Sequence, residues 1–420
     1  MKINVWGINY SPELTGIAVY NAGMCDYLAE QGDEVTMVCG FPYYPSWRKA
    51  EADQLALFRN EKVGDVLVCR CWQYVPAKPS AWRRVLHELS FALTSLWRQL
   101  TLAPPDIYIV VSPPLLLGLA AWLISSIKRR PFLFHVQDLQ PDSALSLSML
   151  PRFLSKFLYS IERFSYDRAK IVSGISLEML DAFRAKGVDV TKILLFPNWV
   201  DLKAESNSPA SGTWKSRRHI PEQTRIVSYA GNMGVKQGLE IAIEAVKQLR
   251  DRTDILFVLA GDGAQKSYLL KIVNEAKLTN VLMLPVLPES EYVELLKDSD
   301  ICLITQLPGT GASFFPSKLL KILSMGRAVI TNADEKTTLY AQIVQAGFGV
   351  PAGINNDGGA FASAIVDLLE NADLRFLMGE NGRRYVAQFE RKQVLSAFRQ
   401  ALAGSDSLSE RQREHTLARR

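Results

Sequence analysis

Three stretches combine glycine, polar residues and a neighbouring helix start in a way that suits an anion. In Tyr229-Ala230-Gly231-Asn232-Met233-Gly234 a β-branched run ends in glycines, and Lys236 and Gly238-Leu239-Glu240 follow. Glycine lets backbone N–H groups approach a phosphate at a helix N-terminus, where the dipole favours negative charge. The stretch Pro12-Glu13-Leu14-Thr15-Gly16 repeats that logic before helical spacing through Tyr20, Met24 and Leu28, although a tight strand–helix turn explains it equally well. Neither stretch is the Gly-x-Gly-x-x-Gly of dinucleotide sites. Phe315-Pro316-Ser317-Lys318 opens a further helix, and a lysine in a first turn is electrostatically misplaced unless an anion lies beside it.

The remaining candidates are single residues. Asp262, in Leu259-Ala260-Gly261-Asp262-Gly263, is expected to cap a helix, with polar substrate as the other option. Asp138 follows Phe134-His135-Val136-Gln137 at the end of an apolar run; a carboxylate there binds or deprotonates a hydroxyl, or merely starts a loop. Asp298-Ser299-Asp300 matches a metal-chelating Asp-x-Asp in form but reads as helix end followed by strand, so no metal is expected. The four histidines fit no zinc pattern, and Gly-x-Ser-x-Gly and Walker A sequences are lacking, which disfavours hydrolases and kinases.

Such residues need strand ends to hold them. Short β-branched runs alternate with helical stretches from Ile3 to Phe196, and a second series runs from Ile226 to Val350. The pattern predicts two doubly wound parallel sheets, an α/β fold of two Rossmann-like domains facing each other across a cleft where ligands bind at carboxyl strand ends. The expected domains are 1–200 and 201–385, joined near Pro197-Asn198-Trp199-Val200-Asp201, then a helix over 386–403 and a frayed polar tail over 404–420.

With 420 residues, 48% hydrophobic and 22% charged, the chain has apolar material for two cores. The net charge of +5 is too small to argue for nucleic acid, but it is lopsided: twelve Lys/Arg face six Asp/Glu between Lys78 and Lys170. Two amphipathic stripes lie there, Val85, Leu86, Leu89, Leu93, Leu96, Trp97, Leu100 and Phe153, Leu154, Phe157, Leu158, Ile161, Phe164, both flanked by Arg or Lys. Core helices explain them, and so does an interface with anionic lipid, which the local charge favours. Ile107–Ile124 is long enough to test as a membrane span, but Ser112-Pro113-Pro114 cuts it into strand, turn and helix. Five cysteines without metal spacing, and a first apolar run that goes straight into a strand, fit a reduced cytoplasmic protein.

These stations, in this order, resemble the GT-B retaining glycosyltransferases of family 4 over about Met1–Ala403. The resemblance rests on Pro12–Gly16, Val111-Ser112-Pro113-Pro114, Val136-Gln137-Asp138-Leu139-Gln140-Pro141, Pro197–Asp201, Gly231–Gly234 with Gln237–Glu240, and Pro316-Ser317-Lys318-Leu319. Within the family the chain looks most like colanic-acid-type exopolysaccharide transferases, regarded as fucosyltransferases acting on a lipid-linked sugar. The resemblance implies a nucleoside-diphosphate-sugar substrate held by the second domain, with Glu13, Gly16, Gly231, Asn232, Gly234, Lys236, Gly261, Asp262, Ser317 and Lys318 as donor-binding positions. Asp138, Gln137 and Lys318 are the expected catalytic residues. It further implies retention of configuration without metal or other cofactor, and a final helix crossing back to the first domain.

The chain departs from the family pattern in several places. The usual pair of glutamates falls on Ser313 and Lys321, the Arg and Lys of the glycine loop fall on Asn232 and Gln237, and the cleft histidine falls on Gln137, with His135 two residues earlier. The expected function is transfer of a hexosyl group, fucose by the resemblance, to a polyprenyl-diphosphate-linked sugar by a peripheral protein at the inner face of the cytoplasmic membrane. A nucleotide-sugar epimerase and a non-catalytic scaffold of a polysaccharide assembly complex are the alternatives.

Overall fold

The structure, a computed structural model, describes residues 1–13, 16–44, 46–78, 80–142, 152–202, 213–309 and 318–417. Of residues 81, 152–154, 355 and 405–417 it describes the backbone alone. The chain forms two compact units, Met1–Asn198 with Arg391–Arg420, and Trp199–Glu390.

The first unit carries β1 (Lys2–Trp6), β2 (Glu34–Gly40), β3 (Phe58–Val63), β4 (Val66–Cys71), β5 (Ile107–Ser112), β6 (Phe132–Val136), β7 (Ile171–Gly174) and β8 (Ile193–Leu195). They form one sheet in the order β3-β4-β2-β1-β5-β6-β7-β8. Every pairing is parallel except β3 with β4. Helices α1 (Ile17–Glu30), α2 (Ala81–Thr101), α3 (Leu117–Lys128), α4 (Arg152–Arg168) and α5 (Leu177–Ala185) connect them. Strands β5 and β6 are buried at every residue, as continuous apolar runs covered on both faces must be. The 107–124 segment is accordingly strand, turn and helix, and among the described residues no helix is long and apolar enough to cross a membrane.

The C-terminal helix, Arg391–Leu417, belongs to this unit. Phe398 stacks on Phe196 with centroids 3.7 Å apart, and Arg399 pairs with the buried Asp33 at 2.7 Å. Its backbone is helical to Leu417.

The second unit carries β9 (Arg225–Asn232), β10 (Ile255–Asp262), β11 (Val281–Leu284), β12 (Ile301–Ile304), β13 (Ala328–Thr331) and β14 (Gly349–Pro351). The order β11-β10-β9-β12-β13-β14 is that of a six-stranded Rossmann sheet, all parallel, reversing direction between β9 and β12. Helices α6 (Thr213–Arg217), α7 (Glu240–Gln248), α8 (Lys266–Glu275), α9 (Glu289–Asp298), α10 (Lys318–Ser324), α11 (Thr338–Ala346), α12 (Gly358–Glu370) and α13 (Ala372–Val386) flank it. One face packs Val227, Phe257 and Leu303 under α7 and α12, and the other packs Cys302 and Val329 under α10.

One strand had no counterpart in the sequence pattern. Strand β3, Phe-Arg-Asn-Glu-Lys-Val, is an antiparallel edge strand whose side chains stay partly or wholly exposed. Charged, polar edges of this kind guard against edge-to-edge association and leave no apolar run to read.

Candidate active site

In the second unit the carboxyl ends of β9 and β10 are matched residue for residue, Gly231 to Gly261 and Asn232 to Asp262. A Cβ on Gly261 would lie 1.9 Å from the Gly231 carbonyl oxygen, and Gly261 itself sits at φ 153. Only glycine permits that approach. The same pair of strands then exchanges a further bond, Met233 N–H to the Asp262 carbonyl at 2.7 Å.

Lys318, the first residue of α10, reaches over this end of the sheet. Its ammonium lies 3.4 Å from the centre of the Tyr229 ring, and its Cδ lies 3.5 Å from where a Gly231 Cβ would be. Nζ is closed from solvent and has no hydrogen-bond partner among the described residues, and burial pulls the pKa down to about 7. The tyrosine is fixed by its own hydroxyl, which donates to the Asn232 carbonyl at 2.6 Å. A ring face attracts a cation, so the tyrosine holds the lysine over the glycine strand end. Tyr229 was not singled out in the sequence, because its position inside the β9 run is that of a core aromatic.

The other donor-binding candidates of this unit divide. Asn232 is the last residue of β9 and Lys236 lies in the 3-10 turn Val235–Gln237 that follows, where its carbonyl accepts from Leu307 N–H at 2.7 Å. Gly234 does not offer its N–H outward as expected: Gln237 Oε1 takes it at 3.1 Å, and a Cβ would lie 2.8 Å from that oxygen. Asp262 is not the helix cap either, because α8 begins four residues later with Gln265 at its N-cap; the exposed carboxylate accepts from Gly263 N–H at 2.7 Å. Ser317 and Ser313 lie outside the described residues. Lys321 is turned to Glu289 at 2.6 Å. Asp298 and Asp300 accept from the backbone N–H groups of Lys215 and Ile226, at 2.9 and 2.8 Å, and so tie α6 and β9 in place.

In the first unit the loop between β1 and α1 is held by Glu13. Glu13, an expected donor contact, accepts on one oxygen from the N–H groups of Tyr43 and Tyr44 at 2.9 Å each and on the other from Asn9 Nδ2 at 2.8 Å. Burial nevertheless raises its pKa. Gly16 follows as the residue before α1, at φ 66 with open space where a Cβ would stand.

At the end of β6, Gln137 Nε2 lies 2.9 Å from His135 Nε2, while His135 Nδ1 lies 2.9 Å from the Ser173 hydroxyl. The amide donates, so His135 accepts at Nε2 and its Nδ1–H points to Ser173. Burial draws its pKa down to about 3, so it stays neutral; this histidine is a buried support for Gln137 and no acid–base group.

Asp138 lies next in the chain. Its charge reaches Glu88 of α2, whose carboxyl is pushed up to about 7, chiefly by burial. Gln140 bridges the two elements, donating to Glu88 at 3.1 Å and accepting from Leu115 N–H at 2.7 Å, at the start of α3. Glu88 escaped the sequence reading because it stands between Leu86 and Leu89 on a helix that looked apolar. Beside it Tyr43 packs on His87 with centroids 4.5 Å apart and on Trp47 at 5.3 Å.

Helix α2 is turned inside out. Its buried side holds His87, Phe91, Ala92, Ser95 and Gln99, the last in a reciprocal amide pair with Asn4 at 2.8 and 3.0 Å. Its outer side exposes Trp82 and Trp97 at 63%, Leu93 at 60%, and Val85, Leu86, Leu89 and Leu100. Trp122, Leu123 and Ile127 of α3 and Phe157 of α4 are exposed as well. The α4 stripe itself is mixed: Ile161 is core, and Phe153 and Leu154 lie outside the described side chains.

Comparison with known proteins accords with this architecture. The glycosyl transferase 4-like domain matches residues 15–199, and the glycosyl transferases group 1 domain matches residues 211–385. The chain is 34% identical over 348 residues to the putative colanic acid biosynthesis glycosyl transferase WcaI of Escherichia coli K12, covering 81% of this chain and 85% of that one. Among solved structures, sucrose-phosphate synthase from Thermosynechococcus elongatus superposes with a TM-score of 0.76 at 17% identity, over 96% of this chain and 99% of that one. Anabaena HepE in complex with UDP and glucose gives 0.71 at 14%, over 96% and 99%. The lipopolysaccharide glycosyltransferase WaaG gives 0.68 at 14%, over 94% and 98%. A paired set of domains and a relative matched along most of both chains leave one assignment: the chain belongs to the GT-B glycosyltransferases, with a family 4-like first domain and a group 1 second domain.

Proposed function

We propose that the chain is a retaining hexosyltransferase of exopolysaccharide assembly, moving fucose from a nucleoside-diphosphate sugar to a polyprenyl-diphosphate-linked saccharide. One observation carries the donor half. Lys318, with no hydrogen-bond partner among the described residues, is held over Tyr229 and Gly231 at the point where the second sheet reverses direction. A diphosphate completes that site, as ligands of open α/β sheets bind outside the strand ends at such points. The WcaI relative and the first-unit carboxyls support the sugar-polymer side of the reading.

In the reaction the acceptor oxygen bonds to the anomeric carbon on the side from which the diphosphate departs. The carbon–oxygen bond to phosphate breaks, and the acceptor proton passes to the leaving phosphate oxygen. Negative charge grows on the diphosphate, and Lys318 stabilises it by preorganised electrostatics. This reading needs no metal ion.

The acceptor half rests on the outward apolar face of α2, with two tryptophans on it and Arg83 and Arg84 close by. Trp and Arg at an amphipathic surface suit the headgroup region of an anionic bilayer, where a polyprenyl carrier resides. On this reading the chain works as a peripheral protein at the inner face of the cytoplasmic membrane. Incubation with radiolabelled GDP-fucose, UDP-glucose and UDP-galactose, each with a polyprenyl-diphosphate sugar in anionic vesicles, tests the whole reading. Transfer from GDP-fucose supports it. Sugar interconversion without acceptor points to an epimerase, and binding without turnover by any donor points to a scaffold.

A further inference from the structure

Lys318 is not the only polar group left without a partner at this place. Thr305 and Gln306 follow β12, the strand across the reversal from β9. Both are buried, Gln306 at 4% exposure, and among the described residues neither the Thr305 hydroxyl nor either polar atom of the Gln306 side-chain amide has a hydrogen-bond partner. Buried amides and hydroxyls are nearly always satisfied, so three such atoms in consecutive residues call for an explanation.

Misplaced backbone does not supply it. The Gln306 main chain is gripped on both sides by Asn332, whose Oδ1 accepts from Gln306 N–H at 2.8 Å and whose Nδ2 donates to the Gln306 carbonyl at 2.9 Å. On the other flank, a Cβ on Gly238 would lie 3.0 to 3.1 Å from the Gln306–Leu307 backbone. The main chain is therefore fixed while the side chain is unclaimed, the condition of a preorganised binding group. The surface is one turn away, since Pro308 and Gly309 are exposed.

These residues share a sheet edge with Lys318. Strand β12 runs parallel beside β9, with Cys302 opposite Ser228, so Thr305 and Gln306, which follow Ile304, lie at the same carboxyl edge of the sheet as Gly231 near the end of β9. Lys318 reaches over that edge, its Cδ 3.5 Å from where a Gly231 Cβ would be.

We propose that Thr305 and Gln306 form a diol-reading site, taking a vicinal hydroxyl pair of the sugar nucleotide whose diphosphate binds at Lys318. A primary amide presents a donor and an acceptor edge, and each sugar hydroxyl is both, so a diol can bond the two edges at once. This rests on the donor reading above. The diol belongs either to the ribose, whose usual family carboxylate is replaced here by Lys321, or to the transferred hexose.

Calorimetric titration of the whole protein with inorganic diphosphate, the nucleoside diphosphate and its sugar conjugate tests this, using wild type, Gln306→Leu and Thr305→Val. Each variant keeps the side-chain volume and removes polar atoms that have no partner in the free protein, so its melting temperature should hold or rise. Diphosphate binding should be unchanged while binding of the sugar nucleotide falls at least tenfold. Equal loss with the nucleoside diphosphate assigns the site to the ribose; loss confined to the conjugate assigns it to the hexose. Unchanged affinities, or a parallel loss for inorganic diphosphate, overturn the diol site. A wild-type protein that binds none of the three overturns instead the donor reading on which it stands.

Discussion

The ammonium of Lys318 sits 3.4 Å from the ring centre of Tyr229 with no hydrogen-bond partner among the described residues, held beside a glycine strand end. In the free protein this is a liability. Its pKa is drawn from 10.5 to about 7 by burial. Between those values the unfolded chain binds a proton that the folded chain does not, so this lysine's contribution to stability becomes more favourable as pH rises from 7 towards 10.5.

Lys318→Met should therefore melt at a higher temperature than wild type at pH 7, while its kcat/KM falls by roughly 10²–10³ for loss of a charge that stabilises the departing diphosphate. Melting curves and initial rates measured on the same preparations check both halves. A variant that loses stability and keeps activity would show the lysine to be a core group.

The same protonation predicts a pH effect on binding. Above pH 7 the free lysine is largely neutral, and a diphosphate must recruit a proton to it. Nucleotide affinity should fall as pH rises from 7 to 9, and calorimetry in buffers of differing ionisation enthalpy should register proton uptake. Both effects should vanish in Lys318→Met.

Two glycines expected alike from sequence should behave differently. Gly261→Ala would drive a Cβ to 1.9 Å from the Gly231 carbonyl at φ 153, separating β9 from β10. A loss of about 3 kcal/mol or more is expected by urea denaturation, and nucleotide binding should go with it. Gly16→Ala meets open space, but its φ of 66 with ψ of −144 lies in a region almost confined to glycine and costs about 1–3 kcal/mol by strain alone.

That contrast shows what was legible in the sequence. Continuous apolar runs disclosed thirteen of the fourteen strands; the polar edge strand β3 carried no such run. The glycine stations were legible because turns need glycine, but which N–H groups they free was not: Gly234 gives its own to Gln237. The stripe on α2 was legible as amphipathic, yet periodicity does not say which side faces water, and here the polar residues His87, Ser95 and Gln99 lie inside. Thr305 and Gln306 went unnoticed because a missing partner is visible only in three dimensions. Asp262 looked like a cap because turn residues before a helix usually are.

Acid should unfold the first unit through its histidines. His135 and His87 are held neutral by burial, with pKa values drawn from 6.5 to about 3 and about 4. Below pH 6.5 the unfolded chain takes up protons that these folded histidines refuse, so stability is lost as pH falls from 6.5 towards 4. Urea midpoints at pH 7 and pH 5 should differ, and the difference should shrink in His87→Asn, which keeps a donor for the Tyr74 carbonyl now 2.5 Å from Nδ1. An unaltered difference in that variant would leave other groups responsible.

The outward face of α2 makes the last prediction. Trp82, Leu93 and Trp97 are at least 60% exposed, so replacing them with Gln removes no core contact and should leave the melting temperature within a degree or two. In a bilayer interface the same side chains would bury apolar area, with roughly 1.5–3 kcal/mol for each one fully buried, so vesicle affinity should fall about tenfold or more for each substitution. Arg83→Gln with Arg84→Gln should instead flatten the dependence on anionic lipid and on salt, because those charges act through a screened surface potential. Co-sedimentation with vesicles of varied phosphatidylglycerol content reads both effects. If the apolar variants bind as wild type does and the full-length enzyme elongates a soluble, lipid-free acceptor at the same rate, the exposed face serves something other than the membrane.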